Sequence, residues 1–276
     1  MELLRQALTE LAAAKERKYL DEKADRKAAA GYYSELDADA EAPELFSALS
    51  SLLEDTHRVR PAYCPAVELY PWIDLQPDGM LRSVYTEEEF DPKKLIEEAA
   101  KIESQRASFR VEETGERGAA DESTEALLEK LHPYNCEHVV CQSWFKHHEP
   151  MRGDLHHLFT CERKCNSFRG NSPYVDFPDY LEVVRESCGK REAAGFEPWR
   201  QKAPVARATL YFLLRYPGLG VYTEESLALL LDWHESAPVS EYERHRNAAI
   251  FEKQGNRNPL IDHPDWARRI GFAGGL

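Results

Sequence analysis

Residues 134–145 read Tyr-Asn-Cys-Glu-His-Val-Val-Cys-Gln-Ser-Trp-Phe, residues 151–161 read Met-Arg-Gly-Asp-Leu-His-His-Leu-Phe-Thr-Cys, and residues 166–171 read Asn-Ser-Phe-Arg-Gly-Asn. Glu-His-Val-Val at 137–140 predicts a short strand. Residues 154–159 alternate polar with apolar groups, as a second strand would. Residues 162–169 open a helix, with Asn166, Arg169 and Gly170 on one face by i, i+3, i+4 spacing. A strand, strand, helix unit of this kind brings Glu137, His138, Asp154 and Asn166 together. Carboxylate and amide oxygens suit Mg2+, which keeps several waters and takes few protein ligands. A neutral imidazole beside such an ion can take a proton from an attacking water. Adjacent strand residues point to opposite faces. Glu137 and His138 therefore share one site only if the strand twists or ends there, or if the ion sits at its edge.

Outward from this unit, residues 1–30 read as helix, Ala-rich and Lys/Glu-rich with no Pro or Gly before Gly31, and with Leu3, Leu4, Leu8 and Leu11 as an apolar stripe. A second helix is predicted over 43–54, burying Leu45, Phe46, Leu49, Leu52 and Leu53. Residues 61–85 look extended, with a turn at 76–79 (Gln-Pro-Asp-Gly) and a strand at 80–85. Residues 92–104 suit a helix and 112–124 an exposed loop. Further helices are predicted over 202–216, 227–235 and 240–254. The expected class is α+β, mostly helical. The simplest partition is an N-terminal helical extension over 1–30 and one domain over 31–276.

Bulk composition narrows the function classes. Of 276 residues, 42% are hydrophobic and 30% charged, and no run is long and apolar enough to span a bilayer. The opening Met-Glu-Leu-Leu-Arg-Gln lacks a basic leader followed by an apolar core, so as written it is not expected to act as a secretory signal. The net charge of −14 is uneven: −13 over 1–130, with 30 acidic against 17 basic residues, and −1 over 131–276. An acidic chain is a poor prior for phosphate binding. The nearly neutral second part, which holds nine of the ten histidines, softens that objection. A bound divalent cation would soften it further.

Several ordered motifs together resemble the bacterial endonuclease I family, a ββα-metal (His-Me finger) group. They are Glu-His-Val-Val-x-Gln-Ser-Trp-Phe at 137–145, Gly-Asp-Leu-His-His-Leu-Phe at 153–159, Asn-Ser-x-Arg-Gly-Asn at 166–171 and Gln-Gly-Asn-Arg-Asn-Pro-Leu-Ile-Asp-His-Pro at 254–264. Phe196-Glu197-Pro198 and Val205-Ala206-Arg207-Ala208 fit between them, and the likeness covers roughly residues 31–270. It implies a non-sequence-specific nuclease that cuts DNA, and often RNA, leaving a 5′-phosphate. By that likeness His138 is the general base, and Glu137 and Asn166 hold one catalytic Mg2+. Arg169, within the matching motif, or Arg152, by position, clamps the phosphate, while Asp154 and His156 orient the site. His147 and His148 are expected on an exposed loop, residues 254–262 in a polar network, and Trp144 and Phe145 in the core.

Four of six cysteines bracket this unit. Cys136 and Cys141, then Cys161 and Cys165, form two short-spaced pairs, and Cys141 stands where family members commonly have Pro. A structural Zn2+ site, two disulfides and independent buried thiols are all open readings. Zinc here would leave no position for catalysis, so it would staple the unit. The alternatives to a nuclease are a zinc hydrolase and a non-catalytic, zinc-stabilised module binding nucleic acid or protein. The first is disfavoured because no His-Glu-x-x-His occurs and His156 and His157 are adjacent. An inhibitor or regulator of the activity is a further open partner.

Overall fold

Leu45, Phe46, Leu49 and Leu53 recur at helical spacing and are all buried on one face of a helix, Ala42–Thr56, that begins at Pro43 as its second residue. The same rule builds most of the chain. The computed structural model of the protein describes residues 2–114, 122–180 and 187–272. Its helices are α1 (Glu2–Ala14), α2 (Glu22–Tyr32), α3 (Ala42–Thr56), α4 (Pro65–Glu68), α5 (Pro92–Thr114), α6 (Glu122–Leu131), α7 (Arg163–Arg169), α8 (Lys202–Arg215), α9 (Glu224–Glu235), α10 (Glu241–Gln254) and α11 (Pro259–Asp262). Its strands are β1 (Leu81–Arg82), β2 (Glu89–Phe90), β3 (Cys136–His138), β4 (Leu158–Thr160), β5 (Gly189–Glu192) and β6 (Gly195–Pro198). They pair antiparallel as β1–β2, β3–β4 and β5–β6. This is the α+β class expected from the sequence. Among the described residues, no helix is long and apolar enough to cross a membrane.

The chain forms two compact units. One comprises Met1–Arg17 and Pro61–Asn171, the other Lys18–Arg60 and Ser172–Leu276. In the first, α1 packs on α5 and α4 through Ala7, Leu11 and Ala14. The single helix expected over 1–30 is in fact two. Asp21 accepts from the Ala24 backbone N–H and caps α2, so a capping residue inside the Lys/Glu-rich run ends the continuity. The extended reading of 61–85 is also revised: Cys64-Pro65 opens the short helix α4, and the strand predicted over 80–85 shrinks to Leu81–Arg82. The turn at 76–79 is present, with Gly79 at φ +78°. Helix α5 runs on to Thr114 and α6 begins at Glu122, so the loop expected over 112–124 is helix at both of its ends, and its middle, 115–121, lies outside the described residues.

In the second unit α8 is buried from Ala203 to Arg215, and α9 packs along it. A fully buried helix must satisfy every polar group it carries. Arg207 does so with a bidentate pair to Glu243 (2.6 and 3.0 Å) and bonds to the carbonyls of His234 and Ala237. The polar network expected over 254–262 is found: Gln254 donates to Asn256, Asn256 to the Tyr211 hydroxyl, and Asn258 exchanges bonds with Asn247. Arg257 is buried between Asp25 and Asp262, each 2.7 Å away, and so serves this architecture.

Candidate active site

The ββα segment begins with β3 paired to β4, Glu137 opposite Phe159 and His138 opposite Leu158. The second strand starts later than expected. Asp154 caps a 3-10 turn, Leu155–His157, by accepting from the His156 N–H at 3.1 Å, and β4 follows it. The connection between the strands is tight. Lys146 and His147 both take left-handed φ (56° and 57°), held by bonds such as His147 N–H to the Gln142 carbonyl at 2.9 Å. Gly153 is obligatory, because a Cβ there would lie 1.9 Å from the Pro61 carbonyl oxygen. Helix α7 then runs from Arg163 to Arg169 and stops at Gly170, whose φ of +58° and ψ of −129° only glycine adopts with ease.

Glu137, His138 and Asn166 all line one cavity of about 580 Å3. The strand-alternation conflict resolves because β3 ends at His138, where the backbone is free to turn. Glu137 is nearly fully buried. Its Oε1 accepts from Tyr85 Oη at 3.0 Å and from Arg169 Nη1, while Oε2 accepts no hydrogen bond among the described residues. Burial raises its pKa above the ordinary carboxylate value, and the Arg169 guanidinium opposes that shift. Asn166 reaches back to β3 and donates Nδ2–H to the Cys136 carbonyl at 2.7 Å. That bond fixes which end of the amide is which. Its Oδ1 has no partner among the described residues.

His138 is buried, with its ring 4.6 Å from that of Tyr63 and 5.3 Å from that of His157. Its Nε2 lies 3.0 Å from the Arg152 carbonyl oxygen. A carbonyl only accepts, so Nε2 carries the proton and the lone pair is on Nδ1. Burial, with His157 beside it, holds its pKa well below the usual imidazole value, so the ring is neutral.

The two arginines expected at the phosphate have protein partners. Arg169 is 0% exposed and spends its Nη donors on Glu137 and on the carbonyls of His138 and Val139 (both 2.8 Å). Arg152 is buried, donates Nε–H to Gln142 and stacks over Tyr63. Neither lines the cavity. Asp154 and His156 are buried and do not line it, and the histidine ring beside His138 is that of His157 instead. Sequence reasoning missed Tyr85, Tyr63 and His157 because they reach the site through tertiary packing. His147, expected on an exposed loop, is half-buried and lines the cavity. His148 is exposed and Phe145 buried, while Trp144 is half-buried.

The cysteines do not form a four-thiolate cage. Cys165 is disulfide-bonded, as is Cys188. Cys136, Cys141 and Cys161 are free, buried thiols. Burial pushes the Cys141 pKa up to about 11 and raises those of Cys136 and Cys161. Among the described residues no three His, Cys, Asp or Glu side chains are placed to hold a metal ion. Of the carboxylates and amides on the cavity wall, Glu137 and Asn166 are the pair on the strand and helix of the ββα segment. Both present an oxygen without a protein partner, which fits a hard, mostly hydrated cation such as Mg2+.

Comparison with known proteins adds an independent line. The family model for Endonuclease I matches residues 73–265. The extracellular ribonuclease of Bacillus subtilis (strain 168) is 35% identical over 161 residues, covering 50% of this chain and 54% of the relative. An extracellular deoxyribonuclease of Aeromonas hydrophila is 31% identical over 119 residues, covering 41% and 50%. A periplasmic deoxyribonuclease of the same organism is 31% identical over 119 residues, covering 41% and 48%. The chain spans about half the length of the curated relatives it matches. With a family match over more than half of its residues, the chain belongs to the Endonuclease I family.

Proposed function

We propose that the protein is a Mg2+-dependent endonuclease that hydrolyses phosphodiester bonds in DNA and RNA, with His138 as general base and Glu137 and Asn166 as the cation's protein ligands. The observation that carries the proposal is the shared cavity, whose lining includes the Glu137 carboxylate, the Asn166 amide and the neutral His138 imidazole. Support for both substrates comes from the relatives, named as ribonucleases and deoxyribonucleases.

The chemistry follows from the acceptor atoms. With Nε2–H committed to the Arg152 carbonyl, Nδ1 is the atom that accepts a proton from the attacking water. Arg169 and Tyr85 hold Oε1 of Glu137, so Oε2 is the oxygen presented to a cation. The Cys136 carbonyl likewise turns Oδ1 of Asn166 the same way round on every visit. When bound there, Mg2+ supplies charge stabilisation for the phosphoryl centre and the leaving 3′-oxygen. Burial around His138 and Glu137 limits water, which strengthens these interactions.

Cleavage of plasmid DNA and of RNA, with Mg2+ or with EDTA, tests this reading. Wild type is expected to cut in Mg2+ and not in EDTA, and His138→Ala to lose activity by about a hundredfold or more. If wild type and His138→Ala cut alike, the assigned mechanism is wrong.

A further inference from the structure

We infer that Arg163 is the side chain that receives a substrate phosphate in the cavity, with Lys130 beside it on the wall, and that Glu98 competes with the phosphate for Arg163. The inference rests on the nuclease reading above and names the residue that reading leaves open. Among the described residues, Arg163 and Lys130 are the Lys and Arg side chains that line the cavity shared by Glu137, His138 and Asn166. The other arginines of this region are engaged elsewhere. Arg169 and Arg152 are buried on protein acceptors, and Arg106 is buried on the His132 carbonyl and Glu129. Glu129 also lines the cavity, but its Oε2 is taken by Arg106 at 2.7 Å, which offsets its repulsion of a phosphate.

Position favours Arg163. It begins α7, and Asn166 lies three residues on, so the two share a face of the helix. A phosphate oxygen near the Asn166 amide is then within the span of a neighbouring guanidinium, which offers two parallel N–H donors to it. The side chain is also accessible, at 43% exposure. Its partner among the described residues is Glu98, 53% exposed, at 3.6 Å, beyond hydrogen-bond range. Exposed pairs this loose hold weakly. Glu98 keeps a second contact, from Asn135 Nδ2 at 3.4 Å, when Arg163 leaves it. The substrate phosphate replaces one anion with another at a guanidinium whose side chain lines the cavity wall.

Fluorescence anisotropy of a labelled DNA duplex, titrated in EDTA at several NaCl concentrations, reads this out without turnover. Arg163→Gln is expected to bind about three- to tenfold more weakly, and to lower the slope of log affinity against log salt by about one. Arg163→Lys should fall between, having charge without the fork. Glu98→Gln, which breaks the same ion pair but leaves the cation, should bind as tightly as wild type or tighter. Wild-type affinity and slope in Arg163→Gln would overturn the inference. So would an equal loss in Glu98→Gln, because the pair would then be structural. Plasmid cleavage in Mg2+ separates the two levels: a wild type that cuts while Arg163→Gln binds normally removes this inference alone. A wild type that neither binds nor cuts removes the nuclease reading with it.

Discussion

A buried histidine resists protonation, and the ring of His138, on the cavity wall, meets that of His157 edge to face. Burial lowers the His157 pKa to about 4, against an ordinary value near 6.5. As pH falls below 6.5 the unfolded chain takes up the proton first, so stability is complete above that pH and is lost as pH drops toward 4. The loss from His157 amounts to about 3 kcal/mol at most. Urea unfolding at pH 7 and pH 4.5 should show a falling midpoint, and His157→Gln should flatten the fall. An equal fall in the variant would place the acid sensitivity elsewhere. At this scale much was legible. Glu137, His138 and Asn166 are recognisable because their residue types suit a hydrated cation, and the cavity brings them together. The surroundings of the arginines were not legible, since a motif position does not say whether a guanidinium faces solvent or, like Arg169, folds back onto β3. The fate of the cysteines was equally hidden. Spacing of three or four residues says nothing of where Cys165 finds its disulfide partner.

Helix α10 shows how one side chain ties elements together. Glu243 closes a capping box with Ser240 at the start of α10 and pairs with Arg207 in the middle of α8. Glu243→Ala removes both, leaving a buried guanidinium without its carboxylate. The expected cost is about 3–5 kcal/mol, measurable as a shift of the denaturation midpoint. A cost below about 1 kcal/mol would show that Arg207 finds other acceptors. Elements of this kind were readable where an apolar period recurs, as in α3, where a long apolar run fills the helix, as in α8, or where a Ser-x-x-Glu capping box opens it, as in α10. The short strands were not. Leu81–Arg82 and Leu158–Thr160 are too brief for alternation to register, and their limits follow from pairing partners far along the chain. The hairpin of β5 and β6 left no such signal. The break after α1 fell inside a run whose composition suits helix throughout, with Asp21 the one local cue.

At the level of the whole chain, the acidic first 130 residues invite the idea of a removable mask. The structure argues for a supporting role in the first thirty. Removing residues 1–30 takes Ala7, Leu11 and Ala14 out of one unit and leaves Arg257 of the other with Asp262 but without Asp25. The truncated protein should therefore melt earlier, by the equivalent of several kcal/mol, and show no gain in cleavage rate. Wild-type stability together with faster cleavage would restore the masking idea. The backbone passes between the two units after residues 17, 60 and 171, so neither corresponds to an uninterrupted stretch of coding sequence. A recombination breakpoint or a domain transplant that respects the unit holding the cavity must carry two separate gene segments, one of them a single helix long. Trimming from either end, the habitual route to a minimal enzyme, would cut into both halves before isolating either.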